Sequence, residues 1–250
     1  MNDVLWRPST AQIEASRMDA FRRRVNLRYN LQLTDYQALH RWSIEQRAAF
    51  WQTLADYFHV RWHTPPSQVL SEGPQMPEAQ WFANASLNFA EHLLRRRDDR
   101  PAVVSIREDG HRQAFTHAQL AAHVAGLQTA FKAAGIVAGD RVAAMMPNTW
   151  QTLVAMLACT SLGAIWSTSS PEFGVHGIID RFGQIAPKLL IVCAGYQYAG
   201  KDIDQVAKVN QVCEQLPSLE QLIVVPHTRS GTRPDEFHAA RVSLWDDVYQ

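Results

Sequence analysis

Gly163-Ala-Ile-Trp-Ser-Thr-Ser-Ser-Pro-Glu-Phe-Gly174, running on into Ile178-Ile-Asp-Arg-Phe182, decides the fold class. A short apolar run bounded by turn residues reads as a buried strand, here Ala164–Ser167. A Ser/Thr-rich turn follows. Ser170-Pro171-Glu172 then has the make-up of a helix start, because Ser caps, Pro suits the first helical position and Glu favours the positive end of the helix dipole. The helix is expected over Pro171–Gln184. Backbone N–H groups at such a start are suited to hold a phosphate.

The same strand-then-helix rhythm extends in both directions. Upstream, Arg141–Met146 reads as a strand, and Asn148 is expected to cap a helix over Thr149–Leu162. Downstream, Lys188–Cys193 and Gln221–Val225 read as strands on either side of a helix expected over Asp202–Leu216. Alternation of this length implies βαβ units, hence an α/β fold with a mostly parallel sheet flanked by helices. Two short strands, Ala102–Arg107 and His111–Phe115, surround the hairpin signal Asp109-Gly110. Thr116-His-Ala-Gln119 matches a capping box and opens a helix through Leu120, Val124, Leu127 and Phe131 that ends at Gly135.

Residues 1–99 have another character and read as an aromatic, helical N-terminal region; residues 100–250 hold the α/β pattern. Thr34-Asp-Tyr-Gln37 and Ser43-Ile-Glu-Gln46 match capping boxes, the second opening a helix with an apolar stripe at Ile44, Phe50, Trp51, Leu54 and Phe58. His63 to Pro77 carries four prolines and reads as an extended connector. A short helix is expected from Ser86, using Leu87, Ala90, Leu93 and Leu94. Leu244–Gln250 reads as the first turns of a further helix.

Composition excludes some classes. With 46% hydrophobic and 19% charged residues the chain is an ordinary globular protein. Its formal net charge is zero, against the basic excess that nucleic-acid partners demand. Arg22–Arg24 and Arg95–Arg97 have acidic neighbours and read as solvated helix faces. Cys159, Cys193 and Cys213 lack metal or redox spacing, and scattered buried thiols point to a reducing compartment. Met1–Asn30 is polar and Arg-containing, without a signal-peptide pattern, so a cytoplasmic location is expected. No charged residue falls between Arg141 and Glu172, but polar residues, Pro147 and Gly163 break the run, which reads as a core helix between strands and not as a membrane span.

The chemistry-bearing motifs are few. The P-loop, G-x-G-x-x-G and G-x-S-x-G patterns are absent. His59 and His63 stand four residues apart without a third metal ligand in sight, so no metal site is expected. In open α/β sheets ligands sit beyond the carboxyl ends of strands, which singles out Ser167–Pro171, with Ser169, Ser170 and Pro171 at its end. Gly195-Tyr-Gln-Tyr-Ala-Gly-Lys201 is the neighbouring candidate: it reads as a flexible loop in which a ring suits base stacking and an ammonium suits phosphate.

Taken together, Trp81-Phe-Ala-Asn-Ala-Ser-Leu-Asn-Phe-Ala90, Gly139-Asp-Arg-Val-Ala143, Met146-Pro-Asn148, Ala155-Met-Leu-Ala158, Gly163-Ala-Ile-Trp-Ser167, Ser170-Pro-Glu-Phe-Gly174 and Pro187-Lys188 resemble the acyl-CoA synthetases of the adenylate-forming superfamily. The Gly163–Ser167 and Ser170–Gly174 wording is most similar to the acetoacetyl-CoA synthetase branch, with the acetyl-CoA synthetase branch next. The resemblance implies that residues 1–99 are the helical N-terminal region of those branches, and that residues 100–250 begin the AMP-binding domain. It implies acetoacetate, ATP with Mg²⁺ and CoA as small-molecule partners, an acyl-adenylate intermediate, and acetoacetyl-CoA, AMP and pyrophosphate as products.

It also implies a CoA-nucleotide site at Ser169, Ser170, Pro171, Tyr198, Gly200 and Lys201. The resemblance implies a departure here: acetyl-CoA synthetases tend to carry two arginines in that second loop, where Tyr198 and Lys201 stand, so Lys201 keeps a charge for the 3′-phosphate and Tyr198 does not. The family's Ser/Thr/Gly-rich phosphate loop, its adenine and ribose segments and its lid lysine are absent from the 250 residues. No catalytic residue is therefore assigned, and the chain is expected to be an incomplete N-terminal part, inactive alone and prone to self-association through unpaired sheet edges. The alternative reading is a non-catalytic nucleotide- or CoA-binding or assembly module, which would lack that phosphate loop in the reading frame beyond Gln250.

Overall fold

The computed structural model describes residues 4–73 and 75–248. The chain divides into two compact units, Met1–Leu87 and Asn88–Gln250. The division places the helix at Phe89–Leu93 with the second unit.

The first unit holds α1 (Thr10–Glu14), α2 (Arg17–Tyr29), α3 (Tyr36–Glu45), α4 (Arg47–Tyr57) and an antiparallel pair, β1 (Gln68–Ser71) and β2 (Gln80–Ala83). Its core is aromatic: Phe21, Val25, Leu39 and Trp42 are buried, with Tyr29, Phe50, Leu54 and Tyr57 packed around them. Rings meet edge-on, Phe21 with Tyr57 at 5.3 Å and with Phe50 at 5.9 Å, the geometry that ring quadrupoles favour. The Tyr29 hydroxyl bonds Thr53 Oγ1 at 2.9 Å, so its polar end is satisfied inside the cluster.

Several local expectations fail here. Asp35, not Thr34, caps α3, its carboxylate accepting from Ala38 N–H at 2.8 Å. Ser43 opens no helix; it lies within α3, its hydroxyl donating to the His40 carbonyl, and α4 starts at Arg47 without a side-chain cap. Of the expected stripe, Ile44, Trp51 and Phe58 are exposed, and only Phe50 and Leu54 join the core. The proline-rich connector contains β1, which pairs with β2 from Gln68 opposite Ala83.

The second unit is the α/β body. In order it holds α5 (Phe89–Leu93), β3 (Pro101–Ile106), β4 (Arg112–Thr116), α6 (His117–Ala133), β5 (Arg141–Met145), α7 (Trp150–Ser161), β6 (Ile165–Ser169), α8 (Val175–Phe182), β7 (Leu189–Cys193), β8 (Gly195–Tyr198), β9 (Lys201–Asp204), α9 (Val206–Glu214), β10 (Gln221–Val225), β11 (Val242–Leu244) and α10 (Trp245–Val248). Five strands form one parallel sheet in the order β11-β10-β7-β5-β6.

Period-two alternation divides the sheet's side chains between two cores. Ala144, Leu189, Ile191, Ile223 and Val225 face α6 and α7, meeting Leu127, Phe131, Val154 and Leu157. Ala143, Met145, Leu190, Val192 and Val224 face α8 and α9, meeting Ile178, Phe182, Val209 and Val212. Every residue of β7 is buried, which explains why its sequence is a continuous apolar run and does not alternate. The three cysteines are buried and free, and burial pushes each thiol up to about 12.

The Thr116 capping box forms as read, Thr116 and Gln119 each bonding the other's backbone N–H. Gly135 closes α6 in the left-handed region at φ +76°, where a side chain would be strained. Asn148 does not cap α7; Thr149 occupies the cap position, and Thr152 Oγ1 donates to the Pro147 carbonyl at 2.7 Å.

Two further corrections bear on function. Residues 171–173 are a turn, and α8 starts only after Gly174. Asp202–Asp204 is strand, because Gly195–Asp204 folds back as the β8–β9 hairpin before α9 begins at Val206. Tyr249 and Gln250, part of the last expected helix, lie outside the described residues.

Candidate functional site

The sheet order fixes where a ligand crevice should open. From β5 the chain steps to β6 on one side, then crosses back over β5 to β7, β10 and β11. The order reverses between β5 and β7, and crevices form beyond the carboxyl ends of strands at such reversals. β6, carrying Ser169–Pro171 at its end, is an edge strand beside that point.

The turn after β6 is held by its own backbone and by α9. Ser169 is 7% exposed, and its hydroxyl has no partner among the described residues. Ser170 Oγ accepts from Glu172 N–H at 3.3 Å. The Pro171 carbonyl accepts from Lys208 Nζ on α9 at 2.8 Å. Burial pushes the Lys208 ammonium down from its ordinary value, so this carbonyl contact sits in a poorly solvated place. α8 begins at Val175, with Gly174 at its cap position, so the helix start expected at Ser170–Glu172 does not form there.

After β7, a hairpin replaces the expected loop. Ala199 and Gly200 form its two-residue turn at φ +49° and +73°, the left-handed pair that matches the twist of flanking strands. Glycine at 200 meets nothing within 4 Å, so its role is conformational. The register sets Tyr196 opposite Ile203 and Tyr198 opposite Lys201. Tyr196 turns inward at 7% exposure; burial pushes its phenol up, and the Glu172 carboxylate adds to the rise. Tyr198 turns outward at 56% exposure, with Lys201 exposed beside it. Directly opposed residues put their side chains on one face about 5 Å apart. The hairpin therefore brings together the ring and the ammonium that the sequence singled out. It does so by pairing and not by flexibility.

Residues without any sequence signal complete this surface. A cleft of about 250 Å³ lies at the end of β10 and the start of α7, between Arg107, His111, Gln113, Gln151, His227 and Asp246. His227 has φ +55°, and burial together with Arg107 holds its imidazole below the usual value, hence neutral near pH 7. The Glu108 carboxylate accepts from Ala199 N–H at the hairpin tip at 3.1 Å. Arg229, following β10, pairs with Asp204 at the hairpin base at 2.8 Å. Among the described residues no three His, Cys, Asp or Glu side chains gather to hold a metal; His59 lies just past α4, and His63 N–H donates to the Ser86 carbonyl.

Comparison with known proteins places this fold. The family described as AMP-binding enzyme matches residues 89–246. The chain belongs to that family. The family described as acetyl-coenzyme A synthetase N-terminus matches residues 36–93. An acetoacetyl-coenzyme A synthetase from Rhizobium meliloti is 44% identical over 223 residues, covering 89% of this chain and 34% of its own length. A malonamoyl-CoA synthetase from Penicillium aethiopicum is 38% identical over 240 residues, covering 93% and 33%. The solved acetoacetyl-CoA synthetase from Streptomyces lividans superposes with a TM-score of 0.90 at 34% identity, over 99% of this chain and 38% of that one. The chain thus spans about a third of the length of the family members it matches. Among the described residues, no helix is long and apolar enough to cross a membrane.

Proposed function

We propose that this chain forms the N-terminal third of a cytoplasmic acid–thiol ligase that joins acetoacetate to CoA through an acyl-adenylate, at the expense of ATP. The observation that carries the reading is the likeness, along nearly the whole chain, to acetoacetyl-CoA synthetases in both sequence and fold. The malonamoyl-CoA synthetase among the relatives sharpens the substrate class. Acetoacetate and malonamate are both short carboxylates with a second carbonyl two carbons from the acid. A short 3-oxo-type acid is the substrate class both names share.

In this reading the chain contributes to the second half-reaction, in which the CoA thiol displaces AMP. The fit to CoA rests on the paired Tyr198 and Lys201: a ring face for the base, and an ammonium for a phosphate without the two-pronged grip of an arginine. Ser169, Ser170, Pro171 and Gly200 belong to the same proposed surface. The chain's residues do not fit the triphosphate of ATP or Mg²⁺ by any P-loop spacing, and no step of adenylation is assigned to them. ATP with Mg²⁺ supplies the activation of the acid in the enzyme as a whole.

The test joins this chain, in frame, to the remaining two-thirds of the Rhizobium meliloti synthetase. The 250-residue chain alone, given ATP, Mg²⁺, acetoacetate and CoA, should release no pyrophosphate above background. The chimera should form a CoA thioester that depends on acetoacetate and runs poorly on acetate. A folded but inert chimera, or sustained turnover by the chain alone, would overturn the proposal.

A further inference from the structure

The β8–β9 hairpin is short, lies outside the five-stranded sheet and presents Tyr198 and Lys201 on its outer face. Isolated two-stranded hairpins are marginal in water, so something must hold this one in place. On its inner face Tyr196 and Ile203 pack into the core, and Arg229 ties its base from outside. Its Nε pairs with Asp204 Oδ2 at 2.8 Å, at the last residue of β9. Its two terminal nitrogens grip both oxygens of Glu236, at 2.9 and 2.7 Å. Glu236 is itself fixed by the Arg233 N–H at 2.7 Å. The Arg229 backbone is held as well: its N–H donates to the Pro226 carbonyl, and its carbonyl accepts from Thr232 Oγ1. At the other end of the hairpin, Glu108 accepts the Ala199 N–H at 3.1 Å.

Gly195 lets the parts approach. A Cβ there would stand 3.1 Å from the Ile203 carbonyl oxygen, 3.3 Å from Thr228 Oγ1 and 3.5 Å from Arg229 Cβ. The first two are tighter than ordinary contact, so the hairpin root and the loop carrying Arg229 are fitted against each other.

The structure assigns Arg229 as a positioning residue that fixes the β8–β9 hairpin, and through it Lys201, for contact with a phosphate of the bound nucleotide, with Glu108 as the weaker second tether. This inference rests on the CoA reading above, and its test separates the two. Arg229 touches no ligand in this scheme and acts only through the hairpin. Its partners differ in exposure, Glu236 at 20% and Asp204 at 58%, so the Asp204 arm is the more screened by solvent.

Two readouts on the 250-residue chain decide it. Tryptic release of the peptide ending at Lys201, followed by mass spectrometry, reports hairpin order without any ligand. Arg229→Ala should speed that release about tenfold, at the low end for a charged hydrogen bond because the pair is partly exposed. Glu108→Ala should have a smaller effect, and Arg229→Lys should restore part of the protection. Titration with CoA and with 3′-dephospho-CoA then reports positioning. The native chain should prefer CoA; Lys201→Ala and Arg229→Ala should both lose that preference while still binding dephospho-CoA.

A misfolded variant would lose both ligands, which the dephospho-CoA titration detects, and Arg229→Lys then supplies the comparison. If Lys201→Ala abolishes the preference and Arg229→Ala and Arg229→Lys leave both readouts unchanged, the positioning role is overturned while the CoA reading stands. If Lys201→Ala leaves CoA binding unchanged, the CoA reading is overturned and the positioning role with it.

Discussion

The two compact units bury their apolar residues in different ways. In Met1–Leu87, helices α2–α4 enclose a small core of Phe21, Val25, Leu39 and Trp42, and much of the surrounding aromatic area stays at the surface, Trp51 and Phe58 included. In Asn88–Gln250 a parallel sheet is covered on both faces, and all of β7 is buried. A helix hides one stripe, whereas a central parallel strand hides both of its faces. Mutations in the sheet unit are accordingly the more costly at equal side-chain size.

That contrast can be broken by truncating one ring in each unit. Phe131 is fully buried against the sheet, and its change to alanine should cost about 3–5 kcal/mol. Phe21 is 5% exposed in a smaller cluster whose surrounding rings are only partly buried, and Phe21→Ala should fall near the lower end of that range. The thiols report on one unit alone: all three are in the sheet unit, whereas tryptophans stand in both, Trp42, Trp51, Trp62 and Trp81 in the helical unit and Trp150, Trp166 and Trp245 in the sheet unit. Urea unfolding followed by thiol labelling should therefore shift with Phe131→Ala and not with Phe21→Ala, whereas tryptophan emission should respond to both. A thiol-labelling midpoint that moves as much in Phe21→Ala as in Phe131→Ala would mean that the units unfold as one. Labelling works because the thiolate reacts. Burial holds the folded thiols near 12, against about 9 when exposed, so at pH 8 reaction waits for unfolding. The sign is that of a raised pKa: this contribution to stability is full below about pH 9 and is lost as pH climbs through about 12.

A smaller effect separates two motifs that look alike on paper. Thr116-His-Ala-Gln119 and Ser43-Ile-Glu-Gln46 both match a capping box, yet only the first caps a helix. Thr116→Ala should cost about 1 kcal/mol, and Ser43→Ala, in the last turn of α3 with its hydroxyl on the His40 carbonyl, should cost close to nothing. Denaturant midpoints of the two variants check this. A comparable loss at Ser43 would show that its bond to His40 matters to α3.

These cases show what could be read from the chain. β10 falls on the expected Gln221–Val225, and β5 and β7 fall within a residue of expectation, because continuous apolar runs between turn residues have few other solutions. The late start of α8 was not legible. Phe173 N–H bonds back to the Ser170 carbonyl and its ring lies under the Arg181 guanidinium at 4.5 Å, so tertiary packing keeps Pro171–Phe173 as a turn until Gly174. The β8–β9 hairpin was missed because Ala199-Gly200 is a weaker turn signal than Asn-Gly, and its strands have four residues each. At the candidate site, Tyr198 and Lys201 were legible as residue types, but their pairing follows from register. Lys208, Glu108 and Arg229 reach partners far away in sequence, 37 residues for Lys208 and 91 for Glu108, and no local pattern announces such contacts.

The smallest effect lies at the junction of the hairpin with the sheet. The Arg229 guanidinium, with the Arg233 N–H second, holds the Glu236 carboxyl at about 2, against 4.5 for an unperturbed glutamate. A lowered carboxylate pKa means that its contribution to stability is present above about pH 4.5 and is lost as pH falls through about 2. The group lies at the surface, where solvent screens the pair, so the global effect is small and the local one is the better reporter. Following the Glu236 side-chain carbonyl by carbon-13 resonance should show a midpoint near 2 in the native chain. In Arg229→Ala the midpoint should climb toward the ordinary carboxylate range and stop short of it, because the Arg233 N–H remains. Arg233→Ala, which keeps that backbone donor, should move it much less. A midpoint indifferent to Arg229 would mean that the two-pronged pair is not formed in solution, and the hairpin would then lack its charged tether.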